Sequence, residues 1–96
     1  MLERDLESRL NQLVKLAGGV TYKLDARTHK GAPDRVVILD STVWFIELKT
    51  ETGKLSELQG YELDRLNRAG ANTRVIYGVK ELDQFFAVRD WEVSDV

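Results

Sequence analysis

Residues 31–59 decide the fold: G-A-P-D-R-V-V-I-L (31–39), the turn D-S-T (40–42), V-W-F-I-E-L-K (43–49) and, three residues later, G-K-L-S-E-L-Q (53–59). Pro33 favours an extended backbone before it and so launches a strand. Asp34 to Leu39 is that strand, and its nearly continuous V-V-I-L run is expected where both faces are covered. Asp40-Ser41-Thr42 reads as a hairpin turn, which makes Val43 to Lys49 the antiparallel neighbour. Counting inward from the turn sets Asp34 opposite Glu47.

Side chains alternate along a strand, so Val43, Phe45, Glu47 and Lys49 share one face, and Trp44, Ile46 and Leu48 the other. Both faces begin apolar. Glu47 is then a carboxylate in a covered strand, and an unpaired buried carboxylate is costly. Two readings stand side by side. Lys49 can pair with Glu47 as a strand-end salt bridge, or a cation can serve both Glu47 and Asp34. Two opposed carboxylates repel, and a hard divalent ion such as Mg²⁺ removes that repulsion.

Working outward, Ser56 is a helix N-cap with Gln59 three residues on, the capping-box spacing, and the helix runs to about Ala69 before Gly70. Leu55, Leu58, Leu63, Leu66 and Ala69 form its apolar arc, and Gln59 projects into it. Gln59 either completes the cap or holds Lys49 or a bound phosphate. At the other end, Leu2, Leu6, Leu10, Leu13, Val14 and Ala17 predict a helix over about 2–17, ended by Gly18-Gly19. Glu3 and Glu7 fall within or beside its apolar arc, Glu3 at the frayed end and Glu7 one turn further in. Val20 to about Ala26 reads as a strand, 27–33 as a polar loop, Thr73 to Val79 as a fourth strand, and Glu81 to about Val88 as a short helix. The tail R-D-W-E-V-S-D-V has no clear pattern. The order is αβββαβα, an α/β (α+β) arrangement in one domain over 1–96, without repeat or linker.

A chain of 96 residues with 43% hydrophobic content can bury one core. No apolar stretch approaches the ~20 residues of a membrane helix, and the N-terminus lacks a signal-peptide pattern. Cysteine is absent, which removes disulfides, thiolate metal sites and cysteine nucleophiles and fits a cytoplasmic location. His29 is the only histidine, so one chain cannot build a multi-imidazole zinc site; within T-H-K-G it reads as a solvated loop residue ahead of a catalytic base. A net charge of −2 does not announce a nucleic-acid partner, but basic residues can cluster while the sum stays near zero. Arg27, Lys30 and Arg35 surround Asp34, and Lys54 follows Lys49.

These residues resemble the VRR-NUC family of the PD-(D/E)xK nuclease superfamily. The likeness rests on G-A-P-D-R-V-V-I-L, F-I-E-L-K-T and G-K-L-S-E-L-Q, with L-E-S-R-L and G-G-V-T-Y-K upstream, and it extends from about Glu3 to Val79. A bare D…ExK is weak; the G-x-P-D-R context with the trailing L-S-x-L-Q is far more specific. The resemblance implies a restriction-endonuclease-like fold, a central mixed four-stranded sheet flanked by helices, and Mg²⁺- or Mn²⁺-dependent phosphodiester hydrolysis.

Carried over by motif, Asp34 and Glu47 would be metal ligands, with the Leu48 backbone carbonyl as a third. Lys49 would orient or activate the attacking water, and Gln59 matches the family's glutamine after the E-x-K strand. Glu7 best matches the first-helix glutamate and would join the metal set; Glu3 takes its place if the register is off by one turn. Arg27, Lys30, Arg35 and Lys54 are the candidate DNA contacts. The likeness is to stand-alone, virus- or phage-type members that act in replication and repair, homodimerise and cut branched DNA such as four-way (Holliday) junctions. The Phe85-Phe86 helix and the Trp91 tail are either candidate dimer surfaces or aromatics packed on the domain's own core, with nothing in the sequence favouring one over the other. A monomeric flap-cutting or nicking nuclease, and a non-catalytic DNA-binding subunit that kept the fold, are the other readings.

Overall fold

The computed structural model describes the backbone of residues 1–94 and the side chains of residues 1–87. Its elements are α1 (Glu3–Leu16), β1 (Val20–Lys23), β2 (Arg35–Leu39), β3 (Thr42–Lys49), α2 (Glu57–Arg68), β4 (Asn72–Tyr77) and α3 (Gly78–Ser94). The strands form one mixed sheet in the order β1-β2-β3-β4, the first two pairs antiparallel and β3-β4 parallel. This is the expected αβββαβα restriction-endonuclease-like arrangement. Among the described residues, no helix is long and apolar enough to cross a membrane.

The β2-β3 hairpin turns on Asp40 and Ser41 alone, both at positive φ (50° and 64°), the twist that suits a two-residue hairpin. Thr42 is therefore already paired, with Leu39. The register continues to Arg35 opposite Ile46, which sets Asp34 beside Glu47 just past the last pair. β4 then lies along the far side of β3, with Val75 against Glu47 and Tyr77 against Lys49. A parallel neighbour requires a crossover, and α2 supplies it.

Alternation divides the sheet. Val37, Leu39, Ile46, Leu48 and Ile76 point to one face and meet Leu6, Leu10 and Val14 of α1 and Leu82, Phe85 and Phe86 of α3 in the core. α2 covers the β3-β4 half of the other face. There the β1-β2-β3 half keeps Val20, Tyr22, Ile38 and Val43 exposed.

Three elements differ from expectation, the first being β4, which ends at Tyr77 rather than Val79 because Gly78 and Val79 open α3. β1 stops at Lys23 rather than near Ala26, because the Asp25 carboxylate accepts the Arg27 backbone N–H at 2.9 Å and turns the chain. α3 begins at Gly78 and continues through Ser94, well past Val88, since no proline or glycine follows Gly78 to break it. The Glu81 carboxylate accepts the Tyr77 backbone N–H at 2.9 Å where β4 passes into α3.

Phe85 and Phe86 do not form an exposed dimer surface. They are 8% and 7% exposed, set edge-to-face on each other, with Phe85 also edge-to-face on Trp44. Helical spacing turns both rings toward the sheet, where core packing satisfies them. The Trp91 side chain lies outside the described residues.

The 24–34 loop rests against α2. His29 Nε2 is 2.8 Å from a carboxylate oxygen of Glu62, which is buried and also 3.4 Å from Arg65. His29 is thus a tether of the loop rather than a free solvated side chain. Gly31 makes the approach possible: at φ 83° it occupies the left-handed region, and a Cβ there would come within 2.7 Å of Leu58 Cγ and 3.0 Å of Leu58 O. Gly31→Ala is accordingly expected to cost about 1–3 kcal/mol through strained φ and the forced displacement of α2. Urea denaturation reads this directly, and an unchanged midpoint would show that the loop does not depend on this approach.

Candidate metal and phosphodiester site

The site is built where β2 and β3 meet the N-termini of α1 and α2. Adjacent residues Asp34 and Arg35 point to opposite faces, and this parity organises everything around them. Asp34 turns toward the α2 face, and its Oδ2 accepts the Leu48 backbone N–H at 2.7 Å. Arg35 turns toward α1, where its guanidinium donates to Glu7 at 2.8 Å and to the Thr21 hydroxyl at 3.0 Å.

Glu47 sits at the centre, 1% exposed. Its Oε2 accepts from Gln59 Nε2 at 3.2 Å and lies 3.5 Å from Lys49 Nζ. Its Oε1 is buried and, among the described residues, has no hydrogen-bond partner. Burial pushes the Glu47 carboxyl up to about 7, and the neighbouring Asp34 carboxylate pushes in the same direction; Lys49 only partly opposes them.

Gln59 completes the capping box, and its amide reaches Glu47 rather than Lys49. Its Oε1 accepts the Ser56 backbone N–H at 2.9 Å while Ser56 Oγ accepts the Gln59 N–H at 3.1 Å. The capping box thereby locks the amide so that Nε2 is left to face Glu47. Lys49, two residues beyond Glu47, shares its face, and its side chain is only 14% exposed.

Glu3, Asp34 and Glu47 each bring one carboxylate oxygen within 4.8 Å of the other two. Glu7 is not in that group: its carboxylate is taken by Arg35 at 2.8 Å and lies 3.8 Å from Lys23. The first-helix carboxylate that reaches the cluster is therefore Glu3, one turn earlier. Leu48 lines the adjoining cleft, about 180 Å³ in volume, together with Glu3, Arg4, Glu7, Lys23 and Asp34.

The four basic candidates separate. Arg35 is 8% exposed and committed to Glu7, so it cannot reach DNA; strand parity, not charge, decides its place. Arg27 is exposed but folded back onto Asp25 at 3.0 Å. Lys30 and Lys54 are exposed. Sequence reasoning passed over Arg4, Lys23 and Glu62. The positions of Arg4 and Lys23 depend on how α1 lies against β1, whereas Glu62 carried a local signal, one turn from Gln59 on the same helix.

Among solved structures, a VRR_NUC domain is 31% identical to this chain, with the match covering 88% of this chain and 94% of the other at a TM-score of 0.81. Hjc of Archaeoglobus fulgidus, a Holliday junction resolvase from an archaeal hyperthermophile, is 25% identical over 77% of this chain and 64% of its own, at a TM-score of 0.58. No family model matches the sequence, and neither does any curated protein.

The raised Glu47 carboxyl has a sign that can be measured. Between its ordinary value of 4.5 and about 7, the folded chain holds a proton that the unfolded chain has released. Stability from this group therefore falls as pH climbs through that window, by roughly 1–3 kcal/mol, and is flat above it. Glu47→Gln should remove this component and be the more stable protein at pH 8. Parallel pH profiles for the two proteins would refute the assignment.

Proposed function

Because the chain belongs to the VRR-NUC family, we propose that it is a Mg²⁺- or Mn²⁺-dependent endonuclease that hydrolyses phosphodiester bonds in branched DNA, four-way junctions included, as a homodimer. The observation that carries the reading is the partnerless Glu47 Oε1, buried in a cluster with Asp34 and Glu3. Such an atom costs free energy unless something positive meets it. An oxygen-only donor set of three carboxylates suits a hard divalent cation that keeps some of its waters. Glu47 and Asp34 would hold the ion, Glu3 would complete the set from α1, and the Leu48 carbonyl is the further donor.

A bound cation supplies Lewis acidity at the phosphate and lowers the pKa of a coordinated water. The chain's own residues do the positioning. The Leu48 N–H fixes one Asp34 oxygen and leaves the other for the site. Gln59, held by its capping box, keeps Glu47 Oε2 in place. Lys49 brings a positive charge beside Glu47, where it can orient the attacking water and stabilise the charge that develops on the phosphoryl oxygens. In a chain of 96 residues, recognition by backbone and shape is a better fit than base reading, which needs a further dedicated surface. For a second copy, the apolar row of Val20, Tyr22, Ile38 and Val43 on the uncovered half of the sheet is the surface that favours association.

The test uses labelled four-way junction, flap and plain duplex with Mg²⁺, Mn²⁺ or EDTA, comparing wild type, Lys49→Ala and Glu47→Gln. Wild type is expected to cut the junction with metal alone, and each variant to lose on the order of 10²-fold or more in rate. Absence of metal-dependent cutting, or variants as active as wild type, ends the nuclease reading. Flap cutting by a species that light scattering shows to be monomeric replaces the resolvase version.

A further inference from the structure

The cleft beside the carboxylate cluster carries two cations that the chemistry above does not use. Arg4 lies in the first turn of α1 and Lys23 at the end of β1, and both line the cleft with Glu3, Glu7, Asp34 and Leu48. The charge of both is left over. Glu7, the carboxylate nearest Lys23, is already neutralised by Arg35 at 2.8 Å, so Lys23 at 3.8 Å is only loosely tethered and its side chain is 72% exposed. Arg4 is exposed and, among the described residues, has no ion pair or hydrogen bond. Two exposed cationic side chains over a cleft that opens onto three acidic groups form a place where a phosphate can bind beside the metal, not on it.

We propose that Arg4 and Lys23 grip the DNA backbone phosphate next to the one that is cut, and so set the register of the strand in the cleft. The proposal rests on the nuclease reading for which phosphate is cut, but the grip itself is a binding property. It replaces Arg35 and Arg27, which are occupied by Glu7 and Asp25. Arg4 and Lys23 would be positioning residues: they hold the phosphate equally in ground and transition states, so removing them raises KM and leaves kcat nearly unchanged.

The experiment measures binding of a labelled four-way junction in EDTA across a salt series, then cleavage kinetics with Mg²⁺. Arg4→Gln, Lys23→Gln and the double variant are compared with wild type and with Lys15→Gln, an exposed cation near the far end of α1. The double variant should make the plot of log affinity against log salt shallower by roughly 1, because the pair neutralises one phosphate, and each single variant by part of that. Lys15→Gln should match wild type, and thermal melting of all variants should coincide. Slopes and KM equal to those of Lys15→Gln, or no junction binding by wild type, overturn the proposal. Wild type that binds with these slope changes yet cuts nothing refutes the nuclease reading while leaving the phosphate grip standing.

Discussion

A carboxylate buried inside a sheet with one oxygen left without a partner is the constraint on which this structure turns. Glu47 has β4 on one side, the Asp34 carboxylate just before β2 on the other and α2 above it, and its carboxyl is driven up to about 7. Such a group would be replaced by a hydrophobic residue if folding alone were at stake, since an apolar side chain of that size would pack there without a desolvation penalty. The surroundings instead hold the charge in a defined position. Gln59 and Lys49 reach one oxygen and leave the other open. Instability is concentrated where a cation would relieve it, and the rest of the fold supplies the offsetting core.

That offset comes mainly from the opposite face. Leu6, Leu10, Val14, Val37, Ile46, Leu48, Ile76 and Leu82 are almost completely buried between the sheet and the α1-α3 layer. The division follows from strand parity: Ile46 and Leu48 secure the core while Glu47 and Lys49, between and beyond them, face the candidate site. Arg35 and Glu7 link the layers, tying the start of β2 to α1 one turn from Glu3. The pair therefore bears on how closely the Glu3 carboxylate can approach Asp34.

Much of this is legible in the sequence, and what is not has physical reasons. The hairpin length sets register, so the opposition of Asp34 and Glu47 can be counted from Asp40-Ser41 alone. Gln59 is legible as a cap because capping is local; that the same amide also faces Glu47 requires the packing of α2. Whether Glu3 or Glu7 reaches the cluster depends on how α1 sits against the sheet edge, which no periodicity encodes. Weighing the charge of Arg35 above its alternation with Val37 and Leu39 misplaces it outward, whereas the alternation points it inward. Phe85 and Phe86 could cover a dimer seam or the chain's own core as far as the sequence tells, and it is the packing of α3 beside α1 on the sheet that turns both rings into the core.

The ordering of the chain also bears on how the site comes into being. Asp34, Glu47, Lys49 and Gln59 all belong to one uninterrupted stretch, and the hairpin that opposes the carboxylates closes over two turn residues. Groups so near in sequence lose little chain entropy on closure. β4, by contrast, must return across the whole of α2 to lie parallel to β3, and Glu3 must be brought back from the far terminus. The candidate site groups thus occupy the segment that closes the shortest loops, while the elements that bury and complete them close the longest. Enclosure, more than assembly of the motif, is what converts two facing acids into a site with a shifted titration.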